Sequence, residues 1–179
     1  DLQKEEAIAI VRQLAAQADV VLENFRPGVM DRLGIGYEAL SKINPRLIYC
    51  AISGFGQTGP DRSAAGYDGK IQALSGIMSI TGHEATGPTR AGFAVCDVLS
   101  GATAAFGVSS ALFQRTHTGK GQLVDVSMLE ATLAFLSGQV ADYSVAGHRQ
   151  QLSGNQAVSR RPTANLFKAG DGYLLLAVN

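Results

Sequence analysis

Two short apolar runs, Val20-Val21-Leu22 and Leu47-Ile48-Tyr49-Cys50-Ala51-Ile52, are continuous in hydrophobicity where a half-exposed strand would alternate. A strand of that kind is buried on both faces, which requires helices in front of the sheet and behind it. Helical periodicity precedes each run. Ile8, Val11, Leu14 and Ala15 share one face over residues 4–18, and a second helix is expected over 37–43. The same order continues with helices over 68–80 and 98–115, a strand over 122–126 and a helix over 128–145. The expected fold class is therefore α/β, a Rossmann-like parallel sheet flanked by helices. Residues 146–163 turn polar, with Gly147, Gly154 and Pro162. Beyond them Asn165-Leu166-Phe167-Lys168, a turn at 169–172 and a final apolar run predict a β-hairpin that opens a smaller second domain. The expected organisation is a large α/β domain over 1–130, a helix and linker over 131–160, and the start of a small domain over 161–179.

Both ends read as cuts. Asp1-Leu2-Gln3-Lys4 runs straight into a helix, and Tyr173-Leu174-Leu175-Leu176-Ala177-Val178-Asn179 stops as a strand in mid-sheet. Natural termini are usually more polar and frayed, so the chain is expected to be an internal piece of a longer protein. Lys and Arg together number 15 and Asp and Glu number 15, a formal net charge of zero. No electrostatic argument points to nucleic acid or an anionic membrane; a small-molecule partner is expected. No apolar stretch in the sequence approaches the roughly 20 residues of a membrane span, and the amino end has no signal-peptide pattern. Cys50 and Cys96 lie outside any CxxC spacing, so neither a disulfide framework nor a zinc site is indicated. A cytoplasmic protein without a metal is the expectation.

Several motifs fail on context. Gly54-Phe55-Gly56-Gln57-Thr58-Gly59 matches GxGxxG after a strand, but no helix follows at once to receive a pyrophosphate. Thr118-Gly119-Lys120-Gly121 lacks the first glycine of a phosphate loop and precedes a strand; it reads as a turn. His83-Glu84 has no second histidine at metalloprotease spacing, no serine lies in GxSxG, and His117 and His148 stand in solvated loop contexts.

Two loci remain. Asn24-Phe25-Arg26-Pro27-Gly28 leaves a buried strand at the carboxyl edge, where open α/β sheets bind ligands. There Arg26 is either a bidentate phosphate ligand or an exposed residue of a strand-to-helix turn with Pro27 at the first helical position. Asp97 stands between a glycine-flecked loop and the small, apolar run 98–113. At a helix start its carboxylate is stabilised as the anion, so it is either an ordinary N-cap or a nucleophile.

The ordered series Asn24-Phe25-Arg26-Pro27-Gly28, Asn44-Pro45-Arg46-Leu47-Ile48-Tyr49, Gly54-Phe55-Gly56, Gly66-Tyr67-Asp68, Ala73-Leu74-Ser75-Gly76 and Thr118-Gly119-Lys120-Gly121-Gln122 with Val124-Asp125-Val126 resembles the class III CoA-transferases. These are the enzymes of the formyl-CoA, carnitine and bile-acid CoA-transferase type, also called CaiB/BaiF-like, and the resemblance spans the whole chain. It implies that coenzyme A or an acyl-CoA is held along the carboxyl edge of the sheet. The matching positions are Leu2, Gln3, Asn24, Phe25, Arg26, Arg32, Ala64, Ala65, Gly66 and Tyr67. It also implies that Asp97 is the nucleophile and that two chains interlock as a homodimer. Gly101, Ala104, Ala105, Val108 and Ala111 would allow the close helix packing of such a dimer, and an ordinary tight core explains them equally well.

The family mechanism implies that Asp97 attacks an acyl-CoA thioester and carries CoA to a carboxylic acid through covalent aspartyl intermediates. Two other readings stand beside it. The α-methylacyl-CoA racemases share the fold and several motifs, but exchange an α-proton between an Asp and a His. The position of that His is Tyr67 here, and a phenol titrating near pH 10 is a poor proton shuttle at neutral pH. The other reading is a non-catalytic CoA-binding dimer scaffold in which Asp97 only caps its helix.

Overall fold

A computed structural model describes residues 1–178. Its centre is a three-stranded parallel sheet of β1 (Val20–Glu23), β2 (Ile48–Ser53) and β5 (Gln122–Ser127), in that spatial order. Glu23 stands level with Ala51, and Ser53 with Ser127, so all three carboxyl ends open on one edge. The doubly buried strand is β2, and its alternate residues serve two cores. Leu47, Tyr49 and Ala51 pack with Ala15, Met30, Ile35 and Leu40 beneath α1 (Glu5–Ala15), α2 (Val29–Arg32) and α3 (Tyr37–Ile43). Cys50 faces the other way, onto Ala104 and Val126 under α6 (Val95–Thr118). The continuous apolar run is thus explained for β2. In β1, by contrast, Leu22 is exposed, because that strand is an edge of the described sheet.

Polar side chains tie the layers where helices end. Asn44 Nδ2 donates to the Ala15 and Ala18 carbonyls at 3.0 and 2.9 Å, closing the carboxyl end of α1. Arg115, near the end of α6, pairs with Asp19 at 2.6 Å and donates to the Arg46 carbonyl at 2.8 Å. We expect Asn44→Ala to cost the complete protein about 1–2 kcal/mol, since two half-buried carbonyls lose their donor. Denaturant titration should show a lower midpoint with an unchanged slope.

Several boundaries differ from the sequence expectations. The helix expected over 68–80 is two, α4 (Asp68–Leu74) and α5 (Ile77–Ile80), because Gly76 adopts a left-handed φ of 85° between them. The helix expected over 128–145 breaks at Leu136 into α7 (Met128–Phe135) and α8 (Ser137–Ala146). A two-residue hairpin of β3 (Gly82–His83) and β4 (Gly87–Pro88) adds an element that the sequence pattern does not announce. Pro27 is not the first residue of α2, which starts at Val29 behind Gly28. The carboxyl-terminal hairpin is present as β6 (Ala164–Ala169) and β7 (Gly172–Ala177).

The largest difference is in α6, which starts three residues earlier and ends three later than expected. At 24 residues it is also long and apolar enough, by composition, to cross a membrane, contrary to the sequence expectation. In this fold it packs against β2, β5, α4 and α7. The small residues on it divide by face. Ala104 and Val108 pack on the sheet and Ala111 is buried, while Gly101 and Ala105 are exposed, as are Phe106 and Phe113.

Candidate functional site

The early start of α6 changes the reading of Asp97. The N-cap position is Ala94, whose side chain has no acceptor, and Asp97 lies within the first turn, exposed at the third residue of the helix. It is therefore not the cap. Among the described residues no side chain hydrogen-bonds its carboxylate. A helix start alone would lower its pKa; here partial desolvation of the carboxylate first, and the nearby Asp68 carboxylate second, push it above the usual aspartate value.

The role of cap belongs to a residue on another helix. Asp68 opens α4 and is only 9% exposed; its Oδ1 accepts from the Cys96 N–H at 2.9 Å. Its Oδ2 accepts from Gln72 Nε2 at 2.7 Å and from Arg90 at 3.4 Å. Gln72 is fully buried, and its Oε1 accepts from the Ala91 N–H at 2.9 Å. The loop leading into Asp97 is thus stitched to one face of α4.

Of the residues that the resemblance implies, Ala64, Ala65, Gly66 and Tyr67 lead directly into that network, Tyr67 being the N-cap residue of α4. Gly66 lies backbone to backbone on Gly54, just after β2: a Cβ on Gly54 would fall 2.6 Å from the Gly66 Cα. Lys70 Nζ donates to the Ala65 carbonyl at 2.8 Å and rests 5.0 Å from the centre of the Phe55 ring. The loop 64–67 is therefore held from both sides at the carboxyl edge of β2, with the Tyr67 ring exposed.

Asn24, Phe25 and Arg26 follow β1 on the same edge and are exposed. Their turn is held by Glu23, a buried carboxylate whose Oε2 accepts from the Phe25 N–H at 2.6 Å. Burial, outweighing that hydrogen bond, pushes the Glu23 pKa up. Arg26 shares a cavity of about 230 Å³ with Glu23, Asp31, Tyr49 and Gln57, so the ends of β1 and β2 meet there. The Arg32 guanidinium lies beside Gly28, 3.4 Å from where a Cβ would be. Leu2 packs on the α1–α3 core, and Gln3 is exposed with its N–H on Asp1. No described contact joins these last two to the turn at 24–26.

Sequence reasoning left Asp68, Gln72, Arg90, Glu23 and Lys70 without roles. One signal was available: Asp68 and Gln72 are spaced i, i+4 on the same face of α4 as buried Ile71, an unusual place for two polar groups. Arg90 gave none, because its partner is 22 residues away.

His83-Glu84 forms part of a small hairpin and its loop, and His117 stacks edge-on against Phe113 at 5.0 Å in an exposed position. Thr118-Gly119-Lys120-Gly121 is a turn closing α6, with the Gly121 N–H on the Pro45 carbonyl. The first helix after Gly54-Phe55-Gly56 begins only at Asp68. Cys50 and Cys96 are separate buried thiols. Among the described residues, no three His, Cys, Asp or Glu side chains are grouped to hold a metal ion.

The chain is similar to several known proteins. The chain is 41% identical over 172 residues to succinyl-CoA–D-citramalate CoA-transferase of Chloroflexus aurantiacus, covering 96% of this chain and 42% of that protein. It is 44% identical over 138 residues to human alpha-methylacyl-CoA racemase, covering 76% and 36%. A crystal structure of a CaiB/BaiF family protein from Brucella suis superposes with a TM-score of 0.92 at 39% identity, covering 99% of this chain and 47% of that one. The chain thus spans less than half the length of these relatives. The family model for CoA-transferase family III matches residues 1–179, so the chain belongs to CoA-transferase family III.

Proposed function

We propose that the complete protein moves CoA from an acyl-CoA thioester to a carboxylic acid, with Asp97 as the nucleophile. The observation that carries the reading is the placement of Asp97 in the first turn of α6, joined through Asp68 to the loop 64–67 at the carboxyl edge of the sheet. On this reading the carboxylate would meet a CoA thioester resting on that edge.

In the first step an Asp97 oxygen attacks the thioester carbonyl. The C–S bond breaks, leaving an acyl-aspartyl anhydride and CoA thiolate. The thiolate then attacks the aspartyl carbonyl, releases the donor acid as its carboxylate, and leaves an aspartyl-CoA thioester. The acceptor carboxylate attacks that thioester and expels the thiolate. The thiolate takes the acceptor acyl group from the second anhydride and regenerates the Asp97 carboxylate. Each tetrahedral oxyanion would form near unpaired N–H groups of the α6 start. The Val95 and Cys96 N–H groups are not among them, being held by the Phe93 carbonyl and by Asp68, which leaves that of Asp97 itself. Arg26 and Arg32 would bind CoA phosphates. We further propose that the working form is an interlocked homodimer, for which the exposed Phe106 and Phe113 face of α6 would supply apolar contact.

The test is an exchange assay on the complete protein with labelled CoA donors and a panel of carboxylates, run beside a deuterium wash-out assay on a branched acyl-CoA with no acceptor. CoA exchange is expected. Wash-out without exchange would support racemase chemistry instead, and CoA binding with neither activity would support a scaffold. Asp97 must be ionised to attack, and burial and Asp68 both push its pKa up. We therefore expect kcat/KM, which reports the free enzyme, to fall on the acid side at a pH above the range of an ordinary aspartate, as a pH–rate profile would show.

A further inference from the structure

The first turn of α6 is held by groups that do not belong to α6. Ala94 offers no side-chain acceptor, and the N–H of Cys96, the residue before Asp97, is bound by Asp68. Gln72 is 0% exposed and uses both ends of its amide on this segment. Its Oε1 takes the Ala91 N–H, and its Nε2 binds Asp68 at 2.7 Å and reaches the Phe93 carbonyl at 3.4 Å. Arg90 lies against Asp68 at 3.4 Å and closes the segment from the other end. Three points of attachment within residues 90–96 fix the backbone that delivers Asp97.

A buried second carboxylate is an unfavourable choice of cap. It must be desolvated, and it repels Asp97, whereas a neutral Ser or Asn would bind the helix start without that repulsion. What Asp68 adds is connection. It follows Tyr67 directly, at the end of the loop whose Gly66 is wedged on Gly54. The surface on which a thioester would rest and the turn that bears the reacting carboxylate therefore share one support. A displacement of about 1 Å between nucleophile and carbonyl can cost on the order of 100-fold in rate.

We propose that Asp68, supported by Gln72 and Arg90, is a positioning residue for Asp97, holding the attacking carboxylate in register with the loop 64–67. The proposal rests on the reading of Asp97 as the nucleophile. In Asp68→Asn the Oδ1 acceptor for Cys96 can remain, but the amide then points a donor at the donors of Gln72 and Arg90.

The experiment uses the complete protein with the donor and acceptor pair that it turns over in the exchange assay, and free CoA as the binding probe. Asp68→Asn is expected to lower kcat by about 100-fold, with the donor KM and the CoA Kd, measured by calorimetry, within about twofold of wild type. Arg90→Met, at a side chain that is 61% exposed, should lower kcat by roughly threefold with KM unchanged. A folded Asp68→Asn with wild-type kcat overturns the proposal, and so does one whose CoA affinity falls in proportion to its rate, since that is loss of the loop alone. If Asp68→Asn does not fold, Arg90→Met decides: wild-type kcat overturns the proposal, and a loss in kcat alone supports it. Exchange that survives Asp97→Ala removes the nucleophile and this role together. Exchange lost in Asp97→Ala but intact in Asp68→Asn removes the positioning role alone.

Discussion

Replacing Asp97 by Asn in the complete protein is expected to lower CoA exchange by about 10⁴-fold or more, while CoA still binds, because an amide cannot open the covalent route. Nothing structural should mask the result. Asp97 is exposed, no described side chain hydrogen-bonds it, and the α6 start is capped by Asp68. A stability loss of several kcal/mol would be expected had Asp97 been an essential buried group, and the fold gives no reason for one. Removing it relieves the repulsion from Asp68, so thermal stability should hold or rise slightly. The measurements are steady-state exchange, CoA affinity by calorimetry, and thermal unfolding on the same preparations.

The second large effect is expected at the contact of Gly54 with Gly66. Each glycine faces the other's Cα, and a methyl group on either would overlap backbone, which cannot rotate away as a side chain can. Overpacking of this kind typically costs about 1–3 kcal/mol. The larger share of the damage should be functional. Relief of the clash pushes the loop 64–67 off β2, away from the anchors that Lys70 and Asp68 provide. We expect Gly66→Ala to weaken CoA binding by about tenfold, equivalent to about 1.4 kcal/mol, and to lower the unfolding midpoint.

The α/β plan was legible because β2 carries its evidence in continuous apolar sequence, and because the helices before it keep a clear apolar face. The breaks at Gly76 and Leu136 were not, since the small and apolar residues on either side fit one long helix as well as two short ones. The start of α6 was misplaced for a related reason. Gly92-Phe93-Ala94 looked like loop, and Asp97 offered a ready local cap, so the sequence pointed to a helix beginning after it. The acceptor that takes the Cys96 N–H comes from Asp68, which no local pattern could nominate. The turn at 24–26 and the loop at 64–67 were recognisable as segments. What holds them, Glu23 below one and Gly54 with Lys70 around the other, depends on chain packing and became visible only in the fold.

The most direct measurement is intact-peptide mass spectrometry of the complete protein, quenched in acid during turnover with an acyl-CoA donor. The account predicts a CoA-thioester adduct on the Asp97 side chain, absent from Asp97→Asn and discharged when an acceptor carboxylate is added. Exchange at full rate with no adduct on Asp97, or with the adduct on another carboxylate, would contradict it.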